Sequence, residues 1–516
     1  MRRFSLVFYC VGCLFFSFCK PSAHVIEPFL ESTSHLQDKN LKPFYHGVAS
    51  GDPLQNSVII WTRVTPETSL SKIEVKWEVS TDKMFNNNVL NGIVNTYPEK
   101  DYTIKVDVKS LLPGTTYYYR FKALDGVSPI GITRTSPESY KELKFAIASC
   151  SNYEFGYFNA YGRMAEEPGL DAIIHLGDYI YEYGEGVYGD TTIGRVHIPK
   201  YEILSLSDYR SRYSQYRLDP DLQAAHRNHP FITIWDDHEI TDNAYVDGAN
   251  NHQEDEGDYQ KRKAIAKQVY YEWMPIRDKE YHYRKLSFGN LADLFMLDER
   301  LAGRTKQAEG PDDPQLKNKK LLGDAQMTWF EITLKNSNAQ WKIIGNQVIY
   351  SYLDWGYPEF RTNMDSWDGY PTDQQKVADI IKGNSIENVI FVTGDTHRAW
   401  AFEATNEPFN SYNPETAEGA FAVEFGVSSI NSANADERFS SESVRAHEKK
   451  IMSPDLNPHL KFTNMRDHGY LLLTLTEEEA TANFKIVNTN RRRDPNIYTE
   501  KVFSVMKGSH KLISKQ

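Results

Sequence analysis

The chain has 516 residues, 58 Lys+Arg against 70 Asp+Glu, a net charge of −12 and 25% charged residues. That length suits two or three domains, and the charge fraction is that of a globular protein rather than a disordered one. The acidic balance, with cations scattered along the chain, argues against a duplex-binding surface, so no specific nucleic-acid binding is expected.

The four cysteines are Cys10, Cys13, Cys19 and Cys150. All but Cys150 crowd into the N-terminus, which excludes a disulfide framework in the folded body. Residues 1–23 read as an export signal: Arg2 and Arg3 start it and an apolar run follows from Leu6 to Phe18. A signal core needs about 7–15 apolar residues and a membrane span about 20. Two cleavage readings stand side by side. Cys19 sits in a loose lipoprotein box, which makes it a candidate for lipidation, and Pro21-Ser22-Ala23 suits a soluble-type cut. Either way the mature chain is expected outside the cytoplasm: periplasmic, held at the outer membrane by lipid on Cys19, or secreted. Any membrane contact would run through that anchor.

Residues 24–43 are polar and aperiodic and read as a tether. From residue 44 a β pattern begins. Ser57 to Thr62 is one strand, and Ile73 to Ser80 alternates strictly, with Ile73, Val75, Trp77 and Val79 on one face. Tyr102 to Val108 alternates again, and Thr116 to Phe121 follows a Pro113-Gly114 turn. Short strands separated by Pro, Gly and Asn turns predict a small all-β sandwich of immunoglobulin or fibronectin type over 44–137. It carries no catalytic cluster.

A second pattern covers 141–490, with 491–516 completing it. Uniformly apolar runs at Phe145–Ala148, Asp171–Leu176, Phe231–Trp235, Trp341–Ile344 and Asn388–Val392 alternate with helical stretches such as Gln260–Met274 and Asp324–Leu334. Runs of this kind fit strands buried on both faces, so the expectation is a layered α/β domain. Each run ends in polar, metal-capable residues: Ser149-Cys150, Gly177-Asp178 with Tyr181, Asp236-Asp237-His238, Asn346-Gln347 and Asp395-Thr396-His397-Arg398. Ligands in α/β sheets bind beyond the C-terminal strand ends, so the runs are expected to deliver these side chains to one edge. Any one of them alone is more often a turn former, a cap or a buried small residue; the recurrence carries the signal.

The chemistry is coherent. Asp178 can bridge two cations, and Tyr181, three residues on, is expected one helical turn away on the same ion. Asp395 and His397 are expected on one side of an extended segment. A thiolate, a phenolate, a carboxylate and an imidazole favour a transition metal, with Fe(3+) as the candidate. Asp178, Asp237, Asp395 and a carboxamide favour a harder cation. Two cations about 3.5–4 Å apart acidify a water and hold a phosphoryl group. His238 is then the candidate proton donor or phosphoryl stabiliser, and Arg398 a candidate phosphate contact. Gly184 to Gly189 matches a dinucleotide fingerprint, but no helix is expected after it, so it reads as a loop near the site. No Walker A, HExxH or GxSxG sequence is present.

The segments "HGVASGDPLQNSVIIWTRVTP", "ASCSNYEFGYF", "HLGDYIYEYG", "WDDHEITDN", "NHQEDEGDY", "YYEWMPIR", "WKIIGNQV", "DSWDGYPTD" and "TGDTHRAW" resemble, in that order, the PhoD-type alkaline phosphatase family of the calcineurin-like metallophosphoesterase superfamily. The resemblance implies a metallophosphoesterase-type β-sheet sandwich flanked by helices behind the small β domain. It implies a bimetallic phosphatase, with Cys150, Asp178, Tyr181 and His397 around Fe(3+) and Asp178 bridging. Asp237 and Asp395 would hold the second cation, calcium in this family, with magnesium, manganese or zinc as alternatives. Asn346 stands where relatives in the superfamily use a histidine, with Gln347 beside it as the other option. His238 matches the catalytic histidine. The implied enzyme is exported and releases phosphate from monoesters and diesters, as some relatives do from phospholipids or wall polymers; a diester-restricted phospholipase or phosphodiesterase is the alternative, and a monomer is expected. The family often carries a twin-arginine signal, which Arg2-Arg3 matches only in part.

Overall fold

The computed structural model describes residues 30–515. The export segment, Cys19 and the start of the tether lie outside the described residues. From residue 30 the stretch read as a tether is packed down rather than free. Thr33 is buried with its hydroxyl 3.1 Å from Ser214 Oγ, and Asp38 caps a single 3-10 turn over Lys39–Leu41.

The expected layered fold is present, and its layers are two β-sheets face to face with helices outside. One sheet runs in the order Ile513–Lys515, Ile497–Met506, Glu479–Val487, Gly469–Thr476, Glu142–Ala148, Ala172–His175, Pro230–Thr233, Val48–Gly51, Val58–Arg63 and Thr103–Val108. The other runs Arg284–Phe288, Ala292–Met296, Trp341–Asn346, Val389–Thr393, Ala422–Gly426, Ala399–Ala404 and Leu460–Asn464. The central strands of each are parallel.

Side-chain alternation explains the uniformly apolar runs. Phe145, Ile147, Ile174 and Ile232 point into the space between the sheets, where they meet Ile343, Ile390 and Val392. Ala146, Ala148, Ile173 and Phe231 point the other way, onto the helices Asn159–Met164, Leu206–Arg217, Pro220–Asn228 and Tyr259–Trp273. Ile344, Val389 and Phe391 likewise cover the helices Gly323–Lys335 and Pro371–Gly383. A strand buried on both faces has no polar face to display. The five site-bearing strands are therefore divided three and two between the sheets, so the polar ends gather where two sheet edges meet rather than along one edge.

The N-terminal unit has its own core of Phe44, Val58, Ile60, Val75, Val79, Tyr119 and neighbours. Its second sheet holds Leu90–Thr96, Ile73–Ser80, Thr116–Ala123 and Gly126–Val127, with Gly131–Arg134 paired to Thr116–Ala123. Its first sheet is continuous with the large sheet, because Val48–Gly51 pairs in parallel with Pro230–Thr233 through Ser50↔Pro230 and Gly51↔Phe231. At the other end of that sheet, Ile497–Met506 adds to Glu479–Val487, which makes the last residues an edge of the large domain.

Candidate metal centre

Two glycines bring the strand ends together. Gly177 has a φ of +108°, and a Cβ there would lie 2.4 Å from the Asp236 backbone nitrogen. A Cβ on Gly394 would lie 2.9 Å from Ser149 Cβ, where the two sheets meet. Cys150, Asp178, Asp395 and His397 all have left-handed backbones, with φ of 60°, 56°, 62° and 64°. Such conformations cost a non-glycine residue about 1–3 kcal/mol and gather where function over-determines the backbone.

Cys150 Sγ, Asp178 and His397 offer ligand atoms within 4.8 Å of one another. Tyr181 joins them: its hydroxyl donates to Asp178 Oδ2 at 3.0 Å and lies 3.1 Å from His397 Nε2. It reaches Asp178 through a bent segment with no helix, so the expected helical turn is absent although the two side chains meet. His397 Nδ1 is 2.8 Å from the Ala433 carbonyl, which can only accept. Nδ1 therefore carries the proton and Nε2 turns its lone pair toward the thiol and phenol, the arrangement that orients histidine ligands. Burial pushes the Cys150 thiol well up, with Asp178 adding to it, and burial holds His397 neutral with a pKa of about 3.

The second group is Asp236, Asp237 and Asp395, again within 4.8 Å, and a third set of Asp178, Asp237 and His238 links the two. Asp178 and Asp395 are raised well above the carboxylate range by burial and by neighbouring acids. Asp395 and His397 do not share a side of an extended segment. Their left-handed turns send the carboxylate to one group and the imidazole to the other.

Arg300, fully buried, lies among these acids. It is ion-paired to Asp236, 2.9 Å from Asp365 Oδ1, 3.3 Å from Asp395 Oδ1 and 3.5 Å from Asp237 Oδ1. Burial raises Asp236 to about 6 despite Arg300. At Asp237 burial works the same way, but Arg300 and His238 prevail and hold it at about 2. Arg304 shares Asp365. The cationic side chains present fall short of these acids, and the raised Asp178, Asp236 and Asp395 are the sign of that shortfall; the donor set therefore fits cations, a soft site at Cys150 and a harder one among the carboxylates.

His238 completes the geometry. Its Nδ1 is 2.7 Å from Glu182 Oε2, and its ring lies 4.2 Å from that of Tyr181. Burial disfavours the imidazolium, but Glu182, Asp237 and Asp178 outweigh it and raise His238 well above the usual range. Glu182 is itself fixed by Asn251 Nδ2 at 2.9 Å and the Asp242 N–H at 2.8 Å.

The family's sequence model described as "PhoD-like phosphatase" matches residues 145–484, and that described as "PhoD-like phosphatase, N-terminal domain" matches 31–137. The chain belongs to the PhoD-like phosphatase family. It is 36% identical over 472 residues to alkaline phosphatase D of Bacillus subtilis (strain 168), covering 86% of this chain and 78% of that one. A solved structure titled "Structure of PhoD" superposes with a TM-score of 0.82 at 34% identity, over 92% of each chain. The chain is a phosphoric ester hydrolase.

In this PhoD-like phosphatase the carboxamide expectation needs correcting. Asn346 Oδ1 accepts from Trp367 Nε1 at 2.9 Å, and its Nδ2 donates to Thr393 Oγ1 at 3.3 Å and to the Val348 carbonyl. Gln347 Oε1 accepts from the Glu299 N–H at 2.9 Å and its Nε2 donates to the Leu297 carbonyl at 2.9 Å. Both carboxamides tie the second sheet to its own loops, so the structure does not bring either to the acids. Arg398 is half-buried, with Nη1 donating to the Thr396 carbonyl at 3.0 Å and its guanidinium 5.2 Å from the Trp355 ring. It lines a cavity of about 450 Å³ that opens onto Asp395 and His397. The Gly184–Gly189 loop is followed by a single 3-10 turn, Thr191–Ile193, and not by the α-helix a dinucleotide fingerprint needs; it delivers Tyr188, whose hydroxyl is 3.3 Å from His397 Nδ1.

Several residues escaped the sequence reading. Arg300 lies just past the strand Ala292–Met296, in the segment Asp298-Glu299-Arg300, a further instance of the apolar-run-then-charge pattern that found the other ends. Glu239 belongs to the polar end Asp236-Asp237-His238-Glu239 that the sequence marks, but its role does not show there: it clamps two loops, accepting from the N–H groups of Asp178 at 3.0 Å, Tyr179 at 2.6 Å and Asp236 at 2.9 Å. The Asn243 N–H holds Asp237 Oδ2 at 2.6 Å. Only the fold reveals these two contacts, since neither spacing nor residue type marks them.

Proposed function

We propose that the chain is an exported alkaline phosphatase that hydrolyses phosphomonoesters and phosphodiesters at a two-cation centre. Cys150, Asp178, Tyr181 and His397 hold Fe(3+), and Asp178, Asp237 and Asp395 hold Ca(2+). The observation that carries this reading is the shared carboxylate: Asp178 belongs both to the thiol–imidazole group and to the set with Asp237 and His238. When bound, two such cations supply an acidified nucleophile and neutralise charge on the phosphoryl oxygens. The chain's own residues do the rest. Glu182 fixes His238 through Nδ1 and keeps the ring charged, which leaves Nε2 to give a proton to the leaving oxygen or a hydrogen bond to the phosphoryl group. Arg398, at the cavity wall beside His397, contacts the phosphate. The basic and apolar start of the chain supports export.

Elemental analysis of the purified protein, combined with phosphate release from mono- and bis-p-nitrophenyl phosphate after chelation and add-back, tests the reading. Iron near stoichiometric, loss of activity on chelation and its return with calcium are expected, and Cys150→Ser should lower iron content more than it lowers folding. Absence of iron together with full activity in chelator would sink the mechanism.

A further inference from the structure

The cavity beside His397 has walls that the two-cation chemistry does not use. Tyr357, Phe360 and Phe439 present exposed rings to it, 38%, 45% and 56% accessible. The Tyr357 ring is backed by His447 in a stack 4.1 Å between centroids, and Phe360 lies 5.6 Å from Trp355. Exposed aromatic side chains gathered in one concave site, beside a reaction centre, mark a ligand surface rather than ordinary surface composition. The wall has cationic members too. The Arg398 Nε is buried with no hydrogen-bond partner, and Arg438 forms no ion pair among the described residues. Among the described residues the aliphatic part of the wall is small, made of Met465, Ala433 and Ala435, with Val444 behind Tyr357 and Phe439 in an adjoining hollow. Rings and guanidinium groups outweigh that aliphatic part, and together they suit a flat π-system attached to an anion.

We propose that this cleft binds the organic part of the substrate, and that its substrate class is nucleoside phosphates. The base stacks on the Tyr357 and Phe439 platform, and Arg438 attracts the anionic end toward Arg398 and the metal centre. About 450 Å³ accommodates a nucleoside. The inference rests on the phosphatase reading above and adds a substrate preference to it.

The test compares kcat/KM for AMP with that for glycerol 1-phosphate in the metal-loaded enzyme and in a Tyr357→Ala/Phe439→Ala variant. Both side chains are substantially exposed, so the variant should fold. The native enzyme should prefer AMP by about tenfold or more, through KM, and the variant should lose most of that preference. A ratio near one in the native enzyme, or an unchanged ratio in the variant, overturns the inference while leaving the phosphatase intact. Release of phosphate from neither ester would instead count against the parent reading. Adenosine binding to the native protein, read by tryptophan quenching, then decides the platform itself, and no quenching overturns it.

Discussion

Replacing Arg300 with methionine removes the only guanidinium that touches Asp236, Asp237, Asp365 and Asp395 together among the described residues. At an effective dielectric of about 20, contacts of 2.9–3.5 Å are each worth about 5–6 kcal/mol gross. Desolvation of each ion, at several kcal/mol, offsets most of that, so the pairs as they stand add little net stability. Their loss is another matter, because the acids stay buried with nothing opposite them. Breaking a buried pair from one side typically costs about 3–5 kcal/mol. We expect that loss at pH 8 in chelator-treated protein, shrinking as pH falls because the stranded carboxyls can take up protons. Urea titration followed by tryptophan fluorescence reads it: with a slope of about 2–3 kcal/mol per molar, the midpoint should drop by roughly 1–2 M. Added divalent cations should recover part of the drop, since they bind the folded acids. A shift below about 0.3 M at pH 8 would refute the view of Arg300 as the charge that makes the acidic group foldable.

His238→Ala should lower kcat for p-nitrophenyl phosphate by roughly 10²–10⁴, and Glu182→Gln should lower it less while leaving KM nearly unchanged, because it loosens His238 without removing it; a His238→Ala enzyme within threefold of native would exclude the role. Asp368 gives a pH test away from the metal centre. Burial raises its carboxyl from 3.8 to about 7, against the Leu353 N–H and Gln374 Nε2 that favour the anion. The folded state therefore binds more protons than the unfolded one between about pH 4 and 7, and Asp368 makes stability fall as pH rises through that window, by at most about 4 kcal/mol. Asp368→Asn should flatten the difference between urea midpoints at pH 5 and pH 8, and an equal slope in the variant would contradict it.

The sequence made the strand ends legible because a doubly buried strand must stop where polar residues begin. The runs at Phe145, Asp171, Phe231, Trp341 and Asn388 all became strands, and the Cys, Asp and His residues past four of them gather into overlapping groups, whereas Asn346 accepts from Trp367. What the sequence could not tell was the partition of those strands between two sheets. A uniformly apolar run looks the same in either, and only the alternation of Phe145 and Ala146 onto different cores distinguishes the layers. Asn346 failed for a related reason: position at a strand end does not say whether the pleat aims a side chain at the acids or at Trp367. The left-handed turns at Asp395 and His397 were equally hidden: Asp and His adopt a positive φ more often than most residues, but still in a small minority of positions, so the residue type alone does not place one.

The parallel joint between Val48–Gly51 and Pro230–Thr233 bears on whether the two family segments are separable parts. It places the small unit's own strands at the end of the sheet that carries Asp236 and Asp237. A catalytic fragment cut at residue 138 would lose that cover and leave Pro230–Thr233 with unpaired backbone groups beside Phe231 and Ile232, an open apolar edge of the kind that recruits other chains. The N-terminal unit therefore acts as the sheet's terminator as well as a neighbour, and modular shuffling of one segment without the other would trade a folded enzyme for an aggregating one.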